Sequence, residues 1–193
     1  MAYPRGQIGI KVNPRATSVD NFVWTIATPS FFVALTEAET GALLALAGNE
    51  ARLAHVYENA DSLWTGSDFC EIDDSWDPIH RVVNRHPPVE PFEWDIGEPP
   101  LKHILASEQS LLVDCPDNEL NLLDAKWVGP MATALEPFDR TEFLARYRAY
   151  TPPDWENAHL PDADFCWENF RKLREFYSHR AGTGKNLVFV VEY

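Results

Sequence analysis

Short unbroken apolar runs, and longer stretches with an apolar residue every three or four positions, divide this chain into strands and helices. Residues 8–12, 21–26 and 31–35 are β-branched or aromatic and predict strands, the last two lying either side of Thr28-Pro29. Thr36 with Glu39 three positions on is a capping box, so a helix should run through Leu43, Leu44 and Leu46 and stop near Gly48. A second helix over about 50–60 puts Leu53, Val56 and Tyr57 on one face. Asp73 or Asp74 is placed to cap the next one, whose apolar stripe is Trp76, Ile79, His80 and Val83.

Five prolines between His86 and Pro100 forbid regular helix or central strand and predict a stiff loop. Pro100 suits the first turn of a short helix carrying Leu101, Ile104 and Leu105. Residues 110–113 and 119–123 are strand-like, and 125–135 has helical spacing. Asp139-Arg140-Thr141-Glu142 is a second capping box, opening a helix with Phe143, Leu144 and Tyr147. After a Pro-rich loop at 151–162, a long helix starts near Asp164. Its expected buried face is Phe165, Trp167 (or Glu168), Phe170, Leu173, Phe176 and Tyr177. Gly182 and Gly184 end it before a final buried strand at 186–192. Strands and helices do not alternate strictly, so the expected class is α+β: a small, mostly antiparallel sheet with helices packed on one side, in a single domain over 1–193.

The 193 residues, 45% of them apolar and 12% aromatic, are enough for one domain with its own core and exclude a wholly disordered chain. Net charge is −14, which argues against a general nucleic-acid binder and against an anionic membrane surface. The charge is uneven. Residues 1–19 hold three basic and no acidic side chains, whereas 68–98 hold nine acids against Arg81 and Arg85. Neither a signal-peptide core nor a run of roughly 20 apolar residues occurs. Cys70, Cys115 and Cys166 form no C-x-x-C and are expected to be reduced and buried, in a cytoplasmic protein. No cofactor is expected. The stretch Ala181-Gly182-Thr183-Gly184-Lys185-Asn186 lacks the first glycine and the final Ser or Thr of a phosphate-binding loop, and stands between helix and strand in the wrong order.

Candidate chemistry concentrates at Asp73-Asp74-Ser75-Trp76-Asp77-Pro78-Ile79-His80. On one helix, Asp73, Asp77 and His80 would share a face beside Trp76. A carboxylate next to an imidazole raises its pKa toward that of a general base, and the same face offers oxygen and nitrogen ligands to a metal. The structural alternative is a helix cap, core residues and a hydrogen-bonded, half-buried histidine; no metal is expected. Of the remaining histidines, none has a partner at ligand spacing.

The pattern Asp73, Trp76, Ile79, His80, followed by Val82-Val83-Asn84-Arg85 and later by Pro100-Leu101, resembles the YfbM-like family of bacterial domains of unknown function. Residues 122–135 with the capping box at 139–142, and the final helix and strand, match it in kind. Arg85 departs from the glycine of the family pattern. The resemblance covers most of 30–193. It leaves residues 1–30 as an N-terminal extension or edge strands, and 84–100 as this chain's own Pro-rich loop. It implies a compact cytoplasmic bacterial α+β domain and no particular reaction, so it transfers no catalytic residue. The expected function is non-enzymatic binding of a basic protein partner, as an immunity protein neutralises a toxin. Glu90, Glu93 and Asp95 would steer that partner, with Phe92, Trp94 and Trp76 as anchors. The alternative is a small-ligand binder or enzyme using Asp77 and His80. A self-associating scaffold is a third possibility, and the sequence leaves the oligomeric state open.

Overall fold

The computed structural model describes residues 30–64, 66–86, 96–150 and 161–192. The expected strands at 8–12 and 21–26, the loop at 87–95 and the loop at 151–160 lie outside them.

Strand β1 (Ser30–Leu35) enters helix α1 (Glu37–Ala45) through the expected capping box. The Thr36 hydroxyl accepts from the Glu39 amide, and the Glu39 carboxylate accepts in return from the Thr36 amide at 2.7 Å. Helix α1 ends at Ala45, because Leu46 is already extended. Gly48, with φ of 87°, then turns the chain into α2 (Asn49–Leu63) rather than closing α1. Strand β2 (Phe69–Glu71) was not anticipated. Helix α3 (Trp76–Asn84) follows a single 3-10 turn at Asp73–Ser75. A second such turn, Leu101–His103, precedes β3 (Gln109–Ser110) and β4 (Asn118–Leu123). The expected strand at 110–113 is therefore mostly irregular. Beyond it the Asn49 side chain pairs with the Val113 backbone in both directions, at 2.7 and 3.2 Å.

Helices α4 (Ala125–Leu135), α5 (Arg140–Tyr150) and α6 (Ala163–Arg180) lead to β5 (Asn186–Glu192). Asp124, Asp139 and Asp162 each accept a first-turn amide at 2.8 Å. Only half of the second capping box forms, because Glu142 turns to Arg146. On α6 the buried face starts one residue later than expected. Phe165 is 41% exposed, whereas Cys166, Trp167, Asn169, Phe170, Leu173, Phe176 and Tyr177 are buried.

The five strands form one open antiparallel sheet in the order β2-β1-β5-β4-β3. Phe32 faces Phe189 across one side of β5, and Leu122 faces Val188 across the other. Side chains alternate between two cores. Phe32, Ala34, Leu187, Phe189 and Val191 join α3 through α6 in the larger one. Phe31, Val33, Leu35, Val188 and Val190 join α1 and α2 in the smaller. Most of the helical mass thus packs on one side, as expected, while the first two helices cover the other.

Polar ties cross the larger core. Asn169 on α6 donates to the Ile72 carbonyl at 3.0 Å and to the Ser75 hydroxyl at 2.8 Å, both nearly a hundred residues away. The Tyr177 hydroxyl donates to the Ile104 carbonyl at 2.8 Å. Asp68 receives both Arg180 and Lys185. Gly97, at φ of 110°, lies so close to α3 that an added Cβ would fall 2.2 Å from the Asn84 side-chain oxygen.

Asn169→Ala takes the buried donor from the Ser75 hydroxyl and one of two donors from the Ile72 carbonyl, which keeps the Ser75 amide at 3.2 Å, and should cost about 1–3 kcal/mol in all, read from urea unfolding at neutral pH. His103 supplies a pH dependence. Burial, with Lys102 adding to it, lowers its imidazole pKa below the ordinary 6.5. A lowered folded-state value means the neutral ring is favoured by folding. That stability is present above 6.5 and is lost as the pH falls through the lowered value. The gap in urea midpoint between wild type and His103→Gln should therefore shift against wild type on acidification below about pH 6.5.

Candidate functional site

The segment singled out by sequence is helical from Trp76, but Asp73 is not on that helix. It begins the 3-10 turn at φ of 49°, and its carbonyl accepts the Ser30 hydroxyl. Neither Asp73 nor Asp74 caps α3. Ser75 occupies the cap position with no side-chain capping bond, its hydroxyl being taken by Asn169. The shared face expected for Asp73, Asp77 and His80 is thereby reduced to Asp77 and His80. Burial raises the Asp74 carboxyl above its ordinary value, and Asp73 beside it adds to the shift. Pro78 sits in the first turn, where a missing N–H costs nothing.

Trp76 is partly buried against the larger core, and Ile79, Val82 and Val83 are inside it. His80 is fully buried and Arg81 only 2% exposed. A guanidinium so deep needs a counterion, and Asp77 one turn earlier supplies it with both carboxylate oxygens. Asp77 therefore serves Arg81. The imidazole of His80 meets a different group: its Nδ1 lies 3.0 Å from Nε2 of His86. His86 was not recognised as a partner, because the contact depends on the chain reversing after α3. No local spacing encodes that reversal.

The groups for chemistry on this face are thus engaged with one another. Among the described residues no three His, Cys, Asp or Glu side chains are placed to hold a metal ion. Glu90, Phe92, Glu93, Trp94 and Asp95 lie outside the described residues. The thiols of Cys70 and Cys166 are pushed up to about 12 by burial, and so stay protonated and unreactive near neutrality. Cys115 is only half-buried, and all three cysteines are free.

Two surface features went unnoticed in the sequence. The layer made by α1 and α2 exposes Glu37, Glu39, Glu50, Glu58 and Asp61. Its one cationic side chain, Arg52, is turned inward to the carbonyls of Leu46 and Leu111. Leu44 and Trp64 are 42% and 55% exposed on the same layer. Beside Trp64 an open groove of about 330 Å³ runs past Phe69 of the edge strand to Lys172, Glu175 and His179 of α6. The Trp64 ring leans on Phe69 with centroids 4.7 Å apart. These features escape sequence reading because the five acids are spread over two helices that become one layer only when both pack on the sheet.

No helix among the described residues is long and apolar enough to cross a membrane. No curated protein matches the chain. A solved structure titled as a protein of unknown function, YfbM from Escherichia coli, is similar to it, with a TM-score of 0.53 and 17% identity. The match covers 84% of this chain and 99% of that one, and at such low identity the likeness is one of fold. The family model described as Domain of unknown function (DUF1877) matches residues 30–190. That span takes in both cores, α3 and the acidic helical layer, and the chain belongs to this family.

Proposed function

We propose that the domain works by binding a basic protein partner rather than by catalysis. The observation that carries this reading is the α1–α2 layer: five exposed acids, no outward cation, and two exposed apolar side chains, Leu44 and Trp64. Such a surface raises the encounter rate with a cationic partner and gives it an aromatic anchor on arrival. Glu90, Glu93 and Asp95 are the second acidic region of this reading, known from the sequence alone. The alternative, a ligand or substrate held by Asp77 and His80, has less support because both side chains are engaged inside the fold. A reducing, cytoplasmic setting belongs to the same reading, supported by three free cysteines. A basic toxin is the kind of partner such a protein would neutralise.

A Lys/Arg-rich peptide titrated into the protein, followed by calorimetry at low and physiological salt, tests the idea. Joint charge reversal of Glu50, Glu58 and Asp61 to lysine should weaken binding by about tenfold at low salt. It should also flatten the salt dependence, with the unfolding midpoint held as a control. Reversal of Glu90, Glu93 and Asp95 in a second variant separates the two acidic regions. Equal affinity for wild type and both variants would sink the proposal.

A further inference from the structure

We draw no further inference here: the strongest candidate, the open groove of about 330 Å³ that runs along the edge strand β2 between Trp64 and α6, carries none, because its Glu175 is already paired with Arg171 and nothing in the structure shows what covers its apolar wall of Trp64 and Phe69.

Discussion

Strand β5 places five consecutive apolar side chains, residues 187–191, at the centre of the sheet, and both of its faces must be kept from water. Every one of the five is fully buried. An antiparallel sheet with one wet face would have shown polar residues at alternate positions. Here β1 is buried throughout as well, and β4 over its last four residues. The α1–α2 layer is therefore a structural necessity before it is anything else. It covers Val188 and Val190 as α6 covers Phe189, and its outward side is free to carry acids.

The larger core is held in register by polar groups as well as by packing. Asn169 fixes the turn that starts α3, Tyr177 fixes the loop at Ile104, and Asp68 gathers Arg180 at the end of α6 and Lys185 just before β5. Each joins segments far apart in sequence, so each selects one arrangement of helices that apolar contact alone would leave free to slide. On α3 the same logic uses ionisable groups: Asp77 with Arg81, and His80 with His86. The residues that looked most like an active site are thus those that permit polar side chains inside a helix contact.

What the sequence disclosed was what local rules govern. The Thr36 capping box, the stripe on α6 and the apolar run of β5 are each decided within one or two turns or one strand. Strand β2 escaped notice because it is three residues long, Phe-Cys-Glu, and exists only through β1. Ser75 displaced the acidic caps because its hydroxyl is claimed from α6, which no local rule registers. Phe165 was misplaced because an aromatic near a helix start fits the periodicity equally well inside or outside the buried stripe. At the candidate site Asp77 and His80 were legible as polar groups near a core. Their partners were not: Arg81 entered only the charge count of 68–98, and His86 depends on the left-handed turn at Arg85.

The strand order also bears on how the protein comes into being. The two central pairings, β1 with β5 and β4 with β5, both await residues 186–192. As the ribosome extends the nascent polypeptide, β1 and β4 emerge early with no neighbour between them. Residues 31–35, and Leu120, Leu122 and Leu123, lack their central partner strand until some sixty further codons beyond β4 are read. Sheet closure is therefore a late, all-or-none event of high contact order, and the interval before it is when chaperones have the most to hold.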